Sequence, residues 1–211
     1  MKKLITIVLI TLSFHAFGQN DAKELLNQVS EKIKSYDNIN LEFKYTLENV
    51  SENIKQETKG DVILQGEKYR LNILGVTRLF DGEKLYSISN EDEEVTISKQ
   101  LEEDSDAITP SKMLSFYEDG YTYQMDIKQD IKGRKIQYVK LTPIDSNSEI
   151  KNILLGIDAQ TKHIYNLIQI GENGTKTTLT VNSFHTNEQL PKNVFTFDAA
   201  KYKDYYINNL D

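Results

Sequence analysis

Polar and apolar side chains alternate strictly in NLEFKYTLENV, residues Asn40–Val50. The apolar side chains are those of Leu41, Phe43, Tyr45 and Leu47, and each stands between two polar neighbours. Successive side chains of a β-strand point to opposite faces of the sheet. The pattern therefore predicts a strand with one buried face and one face in water.

Similar short segments, separated by turn residues, follow along the chain. We predict further strands at Thr58–Leu64, Lys68–Leu74, Arg78–Asp81, Lys84–Ser89, Glu94–Ser98, Tyr121–Gln129, Arg134–Pro143, Lys151–Asp158, His163–Gly171, Thr175–Phe184 and Val194–Phe197. Asp81-Gly82, Lys132-Gly133 and Asn173-Gly174 favour hairpin turns between some of them. So many short strands in a meander predict one large antiparallel sheet, which curves at that size.

The clearest helix is predicted over residues Asn20–Tyr36. Its apolar side chains, from Leu25 and Leu26 to Val29 and Ile33, recur at helical spacing and form one stripe. The opposite side of the predicted helix is charged, so the stripe is expected to pack against the sheet.

A second, short helix is predicted over Thr109–Tyr117. Thr109 suits the N-cap and Pro110 the first helical position, while Asp119-Gly120 is a typical helix end. The segment is unusually apolar and aromatic for its length, and it separates the two blocks of strands.

The first residues have the pattern of a secretory signal peptide. Lys2 and Lys3 precede an apolar run, Leu4–Phe14, that is too short to span a bilayer. Small residues in Ala16-Phe17-Gly18 predict cleavage before Gln19. We therefore predict a signal peptide over residues 1–18 and export to the periplasm.

The remaining residues, 19–211, show no linker or repeat and predict a single domain. Without Lys2 and Lys3 the chain has 23 basic and 32 acidic residues, a net charge of −9. Such a charge disfavours binding to nucleic acid. The chain has no Cys, which excludes disulfides and a thiol nucleophile.

The sequence contains no recognisable catalytic or metal-binding motif. His163 and His185 lack the spacing of zinc ligands, and the acidic stretches 91–94 and 102–106 lack the spacing of a calcium loop. We therefore expect no enzymatic activity, no metal and no cofactor.

Aromatic residues are more informative, because the chain has 12 Tyr and 8 Phe and many occupy the apolar rows of the predicted strands. Two interpretations stay open. The sheet either folds on itself as a filled sandwich, or curves around an apolar cavity that the helices partly cover.

The order of these parts resembles the outer-membrane lipoprotein carrier protein (LolA) family over essentially the whole mature sequence. The resemblance rests on segments such as KGDVILQGEKYRLNIL (residues 59–74), LFDGEKLYSISNEDEEVTIS (79–98), TPSKMLSF (109–116) and the stretch 154–199 with its NEQLP and FTF motifs. The family's fold is an unclosed β-barrel, a curved antiparallel sheet covered by an N-terminal helix and a short central helix.

The resemblance implies a mainly β fold with a helical lid over an apolar cavity that receives the acyl chains of lipoproteins. It also implies an inner-membrane lipoprotein-releasing transporter as donor and an outer-membrane acceptor, with the protein itself expected to be a monomer. Candidate cavity and lid residues are Phe43, Tyr45, Leu64, Tyr69, Leu71, Tyr86, Ile88, Met113, Leu114, Phe116, Tyr117, Tyr123, Met125, Tyr138, Leu155 and Ile168.

Two positions depart from the family's pattern. Gly66 stands where the family has an Arg that holds the lid shut, and Tyr86 stands where it has a Trp. Alternative functions are a carrier of another amphiphile, such as a glycolipid or pigment lipid, and a sensory or docking module of the same fold.

Overall fold

The computed structural model describes residues 20–99 and 110–210. Helix α1 spans residues 20–34, and its buried stripe includes Ala22, Leu26 and Val29. The predicted N-terminal helix is thus confirmed. The predicted signal peptide lies outside the described residues.

The described residues contain twelve strands. They are β1 (Ile39–Asn49), β2 (Ile54–Gln65), β3 (Lys68–Ile73), β4 (Val76–Phe80), β5 (Lys84–Ser89), β6 (Glu94–Lys99), β7 (Tyr121–Ile131), β8 (Arg134–Pro143), β9 (Ile150–Asp158), β10 (Ile164–Gly171), β11 (Lys176–Thr186) and β12 (Tyr206–Asn209).

These strands form one sheet in the order β12-β6-β5-β4-β3-β2-β1-β11-β10-β9-β8-β7. The two end strands, β12 and β7, do not pair with each other, so the sheet is not closed into a barrel. Strand β12 pairs with β6 in parallel, whereas the hairpins are antiparallel. The predicted fold class, a mainly β protein with an unclosed sheet, is confirmed.

Tight turns connect the hairpins as their sequences require. Lys132 and Gly133 both have positive φ, at 53° and 79°, which fits the two-residue turn between β7 and β8. Leu74 and Gly75 have φ of 53° and 77° and join β3 to β4.

Two sequence predictions were wrong. Val194–Phe197 is not a strand, because the chain turns there, with the amide of Val194 bonded to the carbonyl of Pro191 at 3.1 Å. The central segment is not a regular α-helix but two short 3-10 turns, Lys112–Leu114 and Phe116–Glu118. The proposed cap, Thr109, lies outside the described residues.

The described residues form two compact units. The first contains residues 20–34, 47–55 and 117–179, and the second contains residues 35–46, 56–99, 110–116 and 180–210. The core of the first unit is centred on fully buried side chains of β8 and β9, among them Val139, Leu141, Ile153 and Leu155. The core of the second unit includes Phe43, Leu64, Tyr69, Phe80 and Val95.

Candidate functional site

One apolar row in the first unit crosses strands β7, β8 and β9. The register places Met125 opposite Val139, and Val139 opposite Leu155. Tyr123 lies on the same face, opposite Leu141. Val139, Leu141 and Leu155 are fully buried, whereas Tyr123 and Met125 keep part of their surface exposed. The row is thus buried on β8 and β9 and accessible on β7.

A cleft of about 420 Å³ lies beside this row, between helix α1 and residues 117–123, which we call the closing segment. Leu26 of α1 and Tyr117 and Tyr123 of the closing segment form its apolar lining, and the other seven lining residues are polar or charged. The Tyr123 hydroxyl shares its one hydrogen between the backbone carbonyls of Tyr117, at 2.8 Å, and Glu118, at 3.0 Å. The Tyr123 side chain, where the closing segment enters β7, therefore fixes the backbone of the preceding residues 117 and 118.

The carboxylate of Glu118 attaches the closing segment to helix α1. It accepts hydrogen bonds from the Ser30 hydroxyl and from the Lys34 ammonium, the latter at 2.8 Å. Ser30 and Lys34 are one helical turn apart, so both reach the same oxygen. These hydrogen bonds, Lys34 first and then Ser30, lower the pKa of Glu118 below its ordinary value, so the carboxylate is ionised at neutral pH.

Tyr117 is the buried centre of the closing segment, with 1% of its surface exposed. Burial, and to a smaller extent the adjacent Glu118 carboxylate, raises the pKa of Tyr117 far above its ordinary value. Burial also raises the pKa of Tyr123, and the carboxylates of Asp119 and Glu118 add to this. Both phenols are therefore neutral at physiological pH.

A second apolar row lies in the second unit, on strands β2 to β4. Tyr69 stands opposite Leu64 on one side and Phe80 on the other, and its ring centroid is 5.8 Å from that of Phe80. Leu71 follows on the same face and is half-buried. Burial raises the pKa of Tyr69, although nearby Arg78 partly opposes this.

Phe43 packs over this row, against the backbone of β2. A Cβ atom added to Gly60 would lie 2.6 Å from the Phe43 ring and 2.7 Å from the carbonyl oxygen of Asn72. Only glycine leaves room for the ring at this position. Phe43 thereby becomes part of the same apolar surface as Leu64 and Tyr69.

The opposite face of strands β3 to β5 is covered by the C-terminal part of the chain. The register aligns Arg70, Leu79 and Tyr86 across this face. The Phe197 ring stacks on Tyr86 with 4.5 Å between centroids, and Tyr202 stacks on Phe197 at 5.5 Å. Adjacent residues Leu79 and Phe80 are consequently both buried, one on each face.

The profile of the outer membrane lipoprotein carrier protein LolA family matches residues 34–198. The chain belongs to the LolA family. The match spans both apolar rows and the closing segment, and it ends before the last strand. No curated protein sequence matches the chain.

Two solved structures share the fold at low sequence identity. A conserved protein from Thermus thermophilus has a TM-score of 0.56 at 12% identity, covering 90% of this chain and 99% of its own. LprF from Mycobacterium bovis has a TM-score of 0.52 at 12% identity, covering 82% and 97%. A LolA superfamily protein from Nitrosomonas europaea is also similar, with a TM-score of 0.43 at 13% identity, covering 84% and 98%.

Within this LolA-family fold, the residues predicted to bind a ligand divide between opposite faces of the sheet. In the first unit, Tyr123, Met125 and Leu155 share a face. Tyr138 and Ile168 stand opposite the two sequence neighbours of Leu155 and therefore lie on the other face. All five are among the predicted cavity and lid residues, and the register places them on two faces of the sheet.

The same division occurs in the second unit. Leu64, Tyr69 and Leu71 share a face, whereas Tyr86 and Ile88 lie on the face that the C-terminal segment covers. Tyr86 and Ile88 therefore contact the chain's own residues and do not belong to the row of Tyr69.

The other predicted residues lie on β1 and in the 3-10 turns. Tyr45 of β1 is half-buried, two residues beyond Phe43. Met113 and Leu114 lie in the first 3-10 turn and Phe116 begins the second, and all three are half-buried. Binding of a ligand by any of these residues stays a prediction.

Sequence reasoning missed the polar attachment of the closing segment. The resemblance pointed to a missing Arg at Gly66, and the structure instead joins Glu118 to Ser30 and Lys34. A signal was present, since Ser30 and Lys34 share one side of the predicted helix and Glu118 ends the aromatic segment.

The described part of the chain holds no group of three or more His, Cys, Asp or Glu side chains arranged for a metal ion. Within it, burial and nearby Lys32 lower the pKa of His163, and His185 is exposed. None of the helices in the described residues has the length and apolar character needed to cross a membrane.

Proposed function

We propose that this protein is an exported, non-enzymatic carrier that binds the acyl chains of lipoproteins and moves them through the periplasm to the outer membrane. Membership of the LolA family supports this proposal. The observation that carries it is the apolar row of Tyr123 and Met125 beside a closing segment that a single carboxylate, Glu118, attaches to helix α1.

The energetics of an acyl chain require such an arrangement. Exposing about 15 methylenes of one chain to water costs roughly 12 kcal/mol, at about 0.8 kcal/mol per methylene. A carrier must offer apolar surface that offsets this cost and still release the chain. The Glu118 attachment contributes only about 0.2–1 kcal/mol, so the burial of Tyr117 is the larger barrier to opening of the closing segment.

The proposed partners are an inner-membrane transporter that releases lipoproteins and an outer-membrane acceptor. The same apolar rows would also accept another amphiphile, such as a glycolipid. A docking module, by contrast, would use the fold without any bound lipid. The experiment must therefore identify what is bound as well as whether anything is.

Photo-crosslinking at Met125 tests the proposal. Full-length protein carrying a photoreactive residue at this position is expressed in a bacterial envelope and irradiated, and the adducts are identified by mass spectrometry. We expect acylated peptides from lipoproteins. A matched probe at Gln124, the exposed neighbour on the opposite face, should give none.

The substitution Met125→Asp provides a second test of the proposal. A charge in the row should remove bound lipoprotein, while Gln124→Asp retains it, with circular dichroism checking the fold of both. Adducts with glycolipid alone would show that the cargo is a glycolipid and not a lipoprotein. Absence of any lipid adduct, with co-purification of a protein that Met125→Asp leaves unchanged, would identify a docking module and overturn the carrier.

A further inference from the structure

A second, smaller cleft lies in the second unit, on the face of β3 to β5 that points away from Tyr69. It has a volume of about 340 Å³. Leu79 and Ile88 line it from the strands, and Phe197 and Tyr202 line it from the C-terminal segment. Binding sites for small molecules begin at about 300 Å³, so the cleft has the size for a small ligand.

The apolar wall of this cleft consists of buried side chains and stacked rings. Leu79 and Ile88 are buried in the sheet. The Phe197 ring lies between Tyr86 and Tyr202, stacked on both, with interplanar angles of 15° and 6°. Stacked rings restrict one another, so this wall is preformed for a flat or short apolar group.

The charged residues that line the cleft are mainly cationic. Arg70 and Lys201 line it, with Asp198 as the single carboxylate among the lining residues. The Asp198 carboxylate is engaged at the start of the following 3-10 turn, where it accepts the backbone N–H of Ala200 at 3.1 Å. The local charge is thus opposite to the net charge of the whole chain.

Arg70 is half-buried, yet its guanidinium makes no ion pair and no hydrogen bond to any residue of the described ranges. Taking a charge partly out of water is costly unless a partner of opposite charge compensates it. A guanidinium also offers several donors in a planar fork that matches a carboxylate or a phosphate. An anion in the cleft would supply the missing partner.

We propose that this cleft binds a small amphipathic anion, a carboxylate or phosphate joined to a short apolar body, with Arg70 and Lys201 at the head and Phe197 and Tyr202 along the body. Lys201 and Tyr202 lie beyond residue 198, where the LolA family match ends. The site therefore combines residues inside the family match, such as Arg70 and Phe197, with residues beyond its end. It is separate from the proposed acyl-binding rows and does not depend on them.

Titration of the full-length, ¹⁵N-labelled protein tests the site. The ligands are hexanoate, hexyl phosphate, inorganic phosphate and hexylamine, and the readout is amide shifts in two-dimensional NMR spectra. We expect hexanoate or hexyl phosphate to shift residues of β3 to β5 and residues 193–202, and the tighter of the two identifies the preferred head group. Hexylamine should not bind.

Arg70→Gln should weaken that binding at least tenfold, and Lys201→Gln should weaken it less because Lys201 is exposed. Arg78→Gln is the matched control, since Arg78 lies on the adjacent strand and the opposite face. Equal losses in Arg70→Gln and Arg78→Gln would overturn the proposal, as would no binding of either hexyl anion. If inorganic phosphate bound as tightly as hexyl phosphate, the apolar wall would contribute nothing to binding, and that half of the proposal would be overturned.

Shifts confined to β7 and the closing segment would mean that the hexyl anions occupy the acyl-binding row alone, and they too would overturn this site. The proposed carrier function is read out separately, at Met125, in cells. Failure of either proposal can therefore be distinguished from failure of the other.

Discussion

The hydroxyl of Ser30 donates a hydrogen bond to the carboxylate of Glu118, joining helix α1 to a segment 88 residues later in the chain. Lys34 reaches the same oxygen from the next turn of the helix. This carboxylate joins the closing segment to helix α1 within the first unit, so its removal should have consequences that are local and measurable.

Glu118→Gln should loosen the closing segment without unfolding the protein. The side chain is 38% exposed, so the loss should be no more than about 1 kcal/mol. Amide hydrogen exchange of residues 117–123 should then become up to about fivefold faster. Glu31→Gln is the control, because Glu31 lines the same cleft without contacting Glu118. Equal exchange in the two variants would contradict the attachment.

The same contact should weaken in acid. Because the pKa of Glu118 is lowered in the folded protein, its stabilising contribution is present above the unfolded value of about 4.3 and is lost as the pH falls through the folded value. Exchange of the closing segment should therefore accelerate, relative to the intrinsic rate, below about pH 4.5. In Glu118→Gln this acceleration should be absent.

Tyr117→Ala should destabilise the whole first unit. Its side chain is almost completely buried, and replacing a large buried aromatic by Ala costs about 3–5 kcal/mol. Urea denaturation should show a lower midpoint. Tyr206→Ala, at an exposed tyrosine, should change the free energy of unfolding by less than about 0.5 kcal/mol. Similar midpoints for the two variants would show that Tyr117 is not part of the core.

Gly60→Ala should displace Phe43. The new methyl group would meet the ring and the backbone oxygen of Asn72, and a backbone atom cannot move aside easily. We expect a loss of about 1–3 kcal/mol in the free energy of unfolding, measured by thermal melting. Gly66→Asn is a suitable control, because Gly66 has φ of 57°, which Asn tolerates, and open space around it.

Asp158→Asn should reduce stability by about 1.5–3 kcal/mol. Burial acts to raise the pKa of Asp158, but the Arg134 guanidinium at 2.8 Å and the amides of Thr161 and Gln160 outweigh it and lower the pKa. Its contribution is thus present above about pH 4 and is lost as the pH falls through the folded pKa. Chemical denaturation at pH 7 and pH 3 should show a larger difference in the wild type than in the variant.

Much of the sheet could be predicted from local patterns. The predicted bounds of Lys84–Ser89 and Arg134–Pro143 match β5 and β8 residue for residue. Both segments are bounded by turn residues, which set strand ends locally. Alternation with period two also predicted which residues share a face within one strand.

Alternation within a strand could not predict which faces of different strands coincide. That depends on register, which the turns set, and a shift of one residue reverses every side chain. Tyr69 and Tyr86 both follow apolar patterns, yet pairing through β4 puts them on opposite faces. The Phe197 ring stacks on Tyr86 although the two residues are far apart in the chain, and no local sequence pattern predicts this contact.

Strand β12 was missed for a related reason. Its sequence, YINN, has no alternation and ends in two residues that disfavour strands. It forms because β6 offers an unpaired edge to which it can bond in parallel, with the amide of Leu210 reaching the carbonyl of Ile97 at 2.9 Å.

The pairing of β12 with β6 also covers the edge of β6, and we expect it to oppose polymerisation. An uncovered β6, with Val95 and Ile97 in a regular six-residue strand, would be a template for strands of other molecules. In the folded protein the four-residue strand β12 forms this edge of the sheet. At the other edge, a register shift between Met125 and Lys128 interrupts strand β7. Neither the short β12 edge nor the interrupted β7 edge presents the long, regular row of unpaired backbone groups on which fibrils grow.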